Sequence, residues 1–403
     1  MKRLRLFRRA LAAALAAGML LSRELWFPSA RTFPRVPPLA APPGAAAATL
    51  EWLLSAALVA ALVMLAAFRR PKRPALLAAA ALAALVSFDV TRLQPWVYQY
   101  LLLLVVLALH GRRDDDEDAV WRGARPCLQL VVASLYVWGG VQKLNFSFTS
   151  EVMPALLSPL RGLLPWVDAP PVALGVCAAA AEALVGCGLL FPRARRACVW
   201  AAAAMHASVV ALLAARGYNS VVWAWNAALV VFVFVLFRRD AEPTLVALAP
   251  RREAGAAALA ARALVVAAAL LPALSFKGLW DMNLSGALYS GNTAVAVVRV
   301  GEEVYEKLPP AARRQVFRPR DGGALYLPLF EWAMAELNVP PYPEPWALER
   351  AARGVCGLAR EEGAAELLLK GRPAILDGSY GVARVDCARL GRQSLSRGRG
   401  GLR

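Results

Sequence analysis

Nine apolar blocks run through this chain, each near the length that crosses a bilayer, and clusters of arginine and lysine fall at every second junction between them. A hydrocarbon layer about 30 Å thick needs roughly 20 predominantly apolar residues of helix. Without water in that layer, the backbone groups of such a block are satisfied only inside a helix. The blocks lie at about 5–22, 45–68, 74–89, 96–110, 120–142, 170–191, 197–215, 219–237 and 257–276. The expected fold class is an all-α polytopic membrane protein of about nine transmembrane helices, followed by a small exported α+β domain.

The basic residues supply an orientation, because cytoplasmic loops carry the excess of Lys and Arg. With the N-terminus inside, the inner junctions hold 20 such residues, within Lys2–Arg9, Arg69–Arg73, Arg112–Arg125, Arg193–Arg196 and Arg238–Arg252. The outer junctions before residue 277 hold seven. Adding or removing one block scrambles that alternation, so the chain reads N-in and C-out. The net charge of +18 has the same origin. Cations placed between apolar blocks act as topology signals, which argues for the lipid bilayer as partner and against nucleic acid. A mean hydropathy of +0.48 and a charged fraction of 18% agree, since soluble domains carry about 25% charge. The first block follows Lys2, Arg3, Arg5, Arg8 and Arg9 as in a signal peptide. It is followed by Ser22-Arg23-Glu24-Leu25-Trp26 and not by a small-residue cleavage site, so it reads as an uncleaved span. Heavy Ala and Arg usage fits a GC-rich bacterial genome, and with it an inner-membrane location whose C-terminal domain is periplasmic.

From Phe276 onward polar residues, Gly and Pro return. The domains expected are a membrane domain over 1–276, a soluble α+β domain over 277–390 and an Arg/Gly/Ser-rich disordered tail over 391–403. Ala294–Val300, Glu366–Lys370 and Gly381–Val385 read as strands, and Leu327–Leu337 and Pro345–Arg360 as helices. Cys356 and Cys387 are the two cysteines of the soluble part, and an oxidising compartment favours a disulfide between them. Cys127, Cys177, Cys187 and Cys198 lie in or near apolar blocks and read as packing residues. Arg31–Pro43 reads as a stiff extended loop, Thr149–Trp166 as a broken interfacial helix, and Asp114–Asp118 as a solvated loop.

Ionisable residues inside a bilayer are costly and mark functional candidates: Glu51, Asp89, Arg92, Lys143, Glu182 and His206. Lys143 closes the fifth block beside Gly139 and Gly140, which permit close backbone approach by a helix or a flat ligand. A lysine there reads either as a snorkelling anchor or as a desolvated base. His206 lies in mid-block, as a core histidine or a chemical group. Asp89 and Arg92 either satisfy each other or, with Gln94, Trp96, Tyr98, Gln99 and Tyr100, wall an outer-leaflet cavity. Asn219, Trp223, Trp225 and Asn226 open the eighth block, where an aromatic belt explains the tryptophans equally well. No Walker, dinucleotide or HExxH motif occurs, and two histidines, His110 and His206, argue against a haem or multi-histidine metal centre.

The stretch Tyr136-Val137-Trp138-Gly139-Gly140-Val141-Gln142-Lys143-Leu144-Asn145 resembles the Tyr-x-x-(Ala/Gly)-Gly-x-x-Lys-Leu-(Asn/Asp) motif of the HTTM domain. That is the membrane domain shared by vitamin K-dependent gamma-carboxylase and its bacterial relatives. The resemblance extends to the topology over residues 1–276, and its specific part is these ten residues. It implies a quinone/hydroquinone cofactor of the vitamin K type and no metal. It also implies Lys143 as the base that activates the hydroquinone. O2 and CO2 are implied as co-reactants, and an exported peptide or protein as substrate, where the chemistry is carboxylase-like. The chain departs from the family in having Phe146 and Phe148 where a Trp is found, and Tyr98 and Gln99 where the fourth span opens on a His. Two functions stand side by side: a quinol-coupled, carboxylase-like modifying enzyme with Lys143 as base, and a non-catalytic membrane scaffold or export-associated subunit whose exported domain contacts a partner. A solute transporter is disfavoured, because no inverted repeat is visible.

Overall fold

A computed structural model describes residues 2–38, 45–111, 117–168, 171–238, 241–249, 255–320, 323–388 and 390. The expected tail over 391–403, residues 39–43 of the proline-rich loop and residues 114–116 of the acidic run lie outside the described residues. Among the described residues, nine helices of 15 residues or more come first: α1 (Lys2–Leu21), α2 (Ala45–Ala67), α3 (Lys72–Phe88), α4 (Pro95–His110), α5 (Glu117–Val141), α6 (Val172–Leu189), α7 (Pro192–Ala215), α8 (Ser220–Phe237) and α9 (Ala256–Leu270). Five segments, Ala46–Ala67, Val172–Leu189, Pro192–Ala215, Ser220–Phe237 and Ala256–Lys277, are long and apolar enough to cross a membrane. They fit a membrane-embedded protein. The other four are shorter, as α3 and α4, or carry charge, as α1 and α5.

The two ends of the bundle differ in what they meet. Segments after α1, α3, α5, α7 and α9 bond to the C-terminal part of the chain or to one another. Asn338 Nδ2 donates to Leu21 O at 2.9 Å and Gln94 Nε2 to Pro340 O at 3.0 Å. Asn145 Nδ2 donates to Ser290 O at 2.8 Å, and Arg216 Nη1 to Ala155 O at 2.7 Å. Segments after α2, α4, α6 and α8 interact at the other end. Arg8 on α1 bonds to Phe68 O and Arg69 O, and Glu117 takes Arg5 at 3.3 Å and Arg8 at 3.5 Å.

The Arg193–Arg196 cluster departs from its expected place in a loop. Pro192, whose missing N–H is an orphan at a helix start anyway, begins α7, so these arginines occupy its first turn. Arg195 is buried and spends its guanidinium on the carbonyls of Leu189, Leu190 and Glu242 and on Thr244 Oγ1. Those groups lie at the end of α6 and in the segment after α8. Residues 148–168 form a π turn (Phe148–Val152), a short α turn (Met153–Leu157) and two 3₁₀ turns, a broken helix with proline at each break.

The C-terminal part is a four-stranded antiparallel sheet, β1 (Val295–Val300), β2 (Leu325–Pro328), β3 (Ala365–Lys370) and β4 (Val382–Asp386), in the order β2-β1-β3-β4. Strands β1 and β3 bury alternate residues. On that face pack α11 (Leu329–Leu337) and α12 (Pro345–Cys356), while α10 (Glu302–Lys307) follows β1. The helix expected from Leu327 begins two residues later, because Leu325–Pro328 pairs with β1 as an edge strand. Pro328 lacks the N–H a ladder needs and closes that strand. Cys356, at the end of α12, is bonded to Cys387 just after β4.

Candidate functional site at the α5–α6 crossing

Two small-residue notches bring α5 and α6 into backbone contact. A Cβ at Gly140 would lie 2.4 Å from Ala183 N and 2.5 Å from Ala179 O. A Cβ at Gly186 would lie 2.6 Å from Val137 N. Such approach is the recurring way that membrane helices gain dispersion without a hydrophobic driving force. It carries the end of α5 past the middle of α6.

At that point Lys143 Nζ lies 2.6 Å from Glu182 Oε2. The lysine and glutamate side chains keep 15% and 18% of their surfaces exposed. The carboxylate fits because Gly139 has no side chain: a Cβ there would stand 2.7 Å from Glu182 Oε1. The same point is 3.9 Å from Lys143 Nζ, so Gly139 floors both groups.

A second polar chain lies on the same helix face. Tyr136 Oη is 2.5 Å from His206 Nε2, and His206 Nδ1 is 2.6 Å from Asn226 Oδ1. Asn226 Nδ2 donates to Val222 O at 2.7 Å. That bond commits the Asn226 oxygen to accepting, so Nδ1 of His206 carries the hydrogen and Nε2 accepts from the Tyr136 hydroxyl. His206 is a hydrogen-bonded imidazole on α7 that bridges α5 and α8, and neither of its ring nitrogens bonds to Lys143.

The end of α5 is pinned where it meets the C-terminal part. Asn145 Nδ2 donates to Gln142 O at 2.7 Å and to Ser290 O at 2.8 Å, and its Oδ1 accepts from Phe148 N at 2.9 Å. Gln142 is held by Ser275 and Asn292. Asn145 is thus a joint that orients the segment bearing Lys143.

The segment expected to wall a cavity with Lys143 is packed elsewhere. Asp89 takes Arg31 Nη2 at 2.5 Å and the N–H groups of Val36 and Thr91, each at 3.1 Å. Arg92 takes Glu51 Oε2 at 2.5 Å and donates to Leu25 O and Leu85 O. Asp89 and Arg92 therefore satisfy different partners, not each other. Gln94 spans Thr91 O and Pro340 O, and Trp96 is buried against Trp26, Tyr100 and Gly18. Tyr98 and Gln99 line a crevice of about 30 Å³ with Trp138 and Ser134. That volume is near what one water occupies, and Lys143, Gly139 and Gly140 are not among its lining residues.

Sequence reasoning placed Glu182 among the costly charges but did not pair it with Lys143, 39 positions away. The available signal was a single carboxylate in an otherwise uncharged α6, which demands a cation nearby. No group of three or more His, Cys, Asp or Glu among the described residues is placed to hold a metal. Compared with protein-family models, curated proteins and solved structures, the chain matches none.

Proposed function

We propose that the chain is a nine-span membrane protein, N-in and C-out in a bacterial inner membrane, with the kind of membrane domain found in the HTTM family. We further propose that its Lys143–Glu182 pair does proton-transfer chemistry on a quinol-type hydroxyl. The gathering of alternate interhelical segments at opposite ends of the bundle supports the nine-fold alternation. Charge asymmetry supports its direction, and the Cys356–Cys387 disulfide supports an oxidising compartment for the C-terminal part.

The single observation that carries the chemistry is the 2.6 Å contact between Lys143 Nζ and Glu182 Oε2 over the Gly139 notch. The donor set fits a quinol: an amine and a carboxylate meet at 2.6 Å on a helix crossing whose α6 face is largely exposed, where a lipid-soluble molecule arrives from the bilayer. When bound, a quinol supplies an acidic hydroxyl. Lys143 Nζ is the group placed to take the hydroxyl proton, and the Glu182 carboxylate is placed to hold the ammonium that results. The Tyr136–His206–Asn226 chain keeps α5, α7 and α8 in register beneath that pair. O2, CO2 and an exported peptide or protein substrate belong to this proposal only in its carboxylase-like form.

Lipid extraction of the purified protein with mass spectrometry tests this. A quinone should co-purify with the native chain and be lost from Lys143→Ala at unchanged melting temperature. A native chain free of quinone, or equal quinone in Lys143→Ala, overturns it. Alkaline phosphatase fused after residue 388 should be active and, fused after residue 71, inactive.

A non-catalytic scaffold is favoured by a different observation, the many hydrogen bonds that tie interhelical segments to the C-terminal part. In that case Lys143→Ala is tolerated and removal of residues 277–403 abolishes function.

A further inference from the structure

The turn that joins β3 to β4 meets the bundle, and it does so with apolar side chains left uncovered. Ile375 O accepts from Phe146 N at 2.8 Å, and a Cβ at Gly378 would stand 2.5 Å from the Phe146 ring. The turn therefore lies on the segment that follows α5. Arg372, at its base, donates to Ser275 O near the end of the apolar segment Ala256–Lys277. Two separate contacts thus fasten one turn beside the ends of two bundle helices.

The turn is also closed on itself. Ala374 N donates to Ser379 O at 2.7 Å and Gly378 N to Ala374 O at 3.0 Å, and Gly378 takes the left-handed backbone this needs (φ 70°). Asp377 Oδ1 accepts from Ser379 N at 3.0 Å and from Ser379 Oγ at 2.8 Å. Backbone and polar groups set this geometry, and the Leu376 side chain has no part in it. Leu376 is 91% exposed, more than any other large apolar residue among the described ones.

One exposed leucine is ordinary; its surroundings here are not. Ile375 and Tyr380 of the same turn are exposed, and so are Phe146, Phe276 and Leu279 on the segments it is fastened to. Through Phe276 this surface continues into the exposed apolar face of α9, which carries Leu270. Contiguous apolar surface of this kind marks an interaction site. Lys370 Nζ stands 5.0 Å from the centre of the Tyr380 ring. An aromatic ring with a long-stemmed cation beside exposed aliphatics is the composition of a membrane–water boundary.

We infer that the β3–β4 turn is a membrane-contact site of the C-terminal part, with Ile375 and Leu376 entering the acyl boundary beside α5 and α9, and Tyr380 and Lys370 at headgroup level. This rests on the reading of α9 as a membrane span. Bilayer lipid is the occupant because the surface is continuous with a segment long and apolar enough to cross the membrane. The exposed Asp377 carboxylate stays among the headgroups, so the turn lies in the interface and does not cross it. Phe146 follows Lys143 by three residues, so this contact steadies the end of α5 that bears the Lys143–Glu182 pair.

Photo-crosslinking tests this in the full chain reconstituted into vesicles of phosphatidylcholine and phosphatidylglycerol. The probe p-benzoylphenylalanine is placed singly at Leu376, at Leu270 of α9, and at Glu361, which is exposed and precedes β3 at its other end. Illumination should give a lipid-mass adduct at Leu376 and Leu270 and none at Glu361. Lipid at Leu270 but not at Leu376 overturns the inference, as does an adduct of Leu376 with a second copy or another protein, or equal lipid at Glu361. No lipid at Leu270 overturns the span itself, and the inference with it. With the probe at Tyr380, Leu376→Asp should cut the lipid adduct about tenfold, the factor that transfer of one leucine from water supplies. The melting temperature in detergent should not change, since Leu376 packs against nothing. An undiminished adduct in Leu376→Asp overturns the inference.

Discussion

Glu336 of α11 holds Thr32 of the segment after α1: its Oε2 accepts the Thr32 hydroxyl hydrogen at 2.8 Å, and its Oε1 accepts the Thr32 N–H. The same carboxylate takes Phe33 N at 2.8 Å and Trp332 Nε1 at 3.0 Å, while the Phe33 ring stands edge-on to Trp332 at 5.1 Å. One side chain therefore docks the C-terminal part onto the bundle, 304 positions apart in sequence.

Glu336→Ala should release that docking. Hydrogen bonds to a charged group contribute about 1.5–3 kcal/mol each, and two backbone N–H groups lose their acceptor, so a loss of roughly 3 kcal/mol is expected. Hydrogen exchange should accelerate at Thr32 and Phe33 and leave α5 and α8 protected. Unchanged protection at those two amides would refute the docking role.

Arg92 and Glu51 should behave asymmetrically under substitution. Each nitrogen of the Arg92 guanidinium has a partner: Leu25 O, Leu85 O and Glu51 Oε2. Removing one member of a buried pair leaves an uncompensated charge and costs about 3–5 kcal/mol, whereas replacing both by apolar residues is often near neutral. Arg92→Ala should therefore melt much earlier than the double variant Arg92→Met with Glu51→Leu. A double variant as weak as Arg92→Ala would show that the pair contributes more than mutual compensation. Arg35, 3.4 Å from Glu51 Oε1, recovers part of the loss in the single variant.

Gly139 and Gly140 are adjacent but should fail differently. A Cβ at Gly140 meets α6 backbone, which no side-chain rotation relieves, so Gly140→Ala should cost about 1–3 kcal/mol by forcing the helices apart. A Cβ at Gly139 meets the far end of Glu182, which can swing away. Gly139→Ala should keep its melting temperature and free Lys143 from its partner, raising the rate at which amine reagents modify that lysine. Equal loss of stability in both variants would count against the notch at Gly139.

Helical blocks and their spacing were legible because a long apolar run is a constraint carried by consecutive residues. Strands β1, β3 and β4 were legible as short runs where Gly, Pro and polar residues return, whereas the second half of β2 was absorbed into a helix because it precedes α11 without a break in hydrophobicity. Lys143, Asn145 and His206 could be selected one at a time, since each is a polar residue where polarity is costly. Their partners could not. Glu182, Ser290 and Asn226 reach them through the crossing of α5 with α6, the docking of the C-terminal part and the packing of α7 on α8, and no local period encodes those meetings. The Arg193–Arg196 cluster shows the converse limit. Charge pattern reads as a topology signal between apolar blocks, but Arg195 uses its long stem to reach carbonyls at the end of α6 and beyond α8, a role that a loop assignment conceals.

Asp281 gives the C-terminal part a pH dependence of unusual sign. Burial pushes its carboxyl above the ordinary carboxylate range, although the Tyr342 hydroxyl and the N–H of Leu284 both donate to it. Glu344, two residues beyond Tyr342, is pushed up by burial as well, while its Oε1 accepts Met282 N at 3.1 Å. A group whose folded-state pKa exceeds its unfolded value binds more protons when folded, so stability falls as pH rises between the two values. The acid side is the stable side for this group: its unfavourable contribution is absent below about pH 4, the ordinary Asp value, and complete above the raised folded value. Asp281→Asn keeps an oxygen to accept from Tyr342 and removes the titration. The variant should gain stability over the native chain as pH rises from 4 to 7, read as a growing difference between their urea midpoints. Taking the difference cancels the carboxylates that Asp281 does not influence; Glu344, which the Asp281 charge also raises, is relieved in the variant and adds to the difference in the same direction. A difference that stays flat, or that shrinks over that window, would show that Asp281 is solvated in solution and that its contact with Tyr342 is not a buried one.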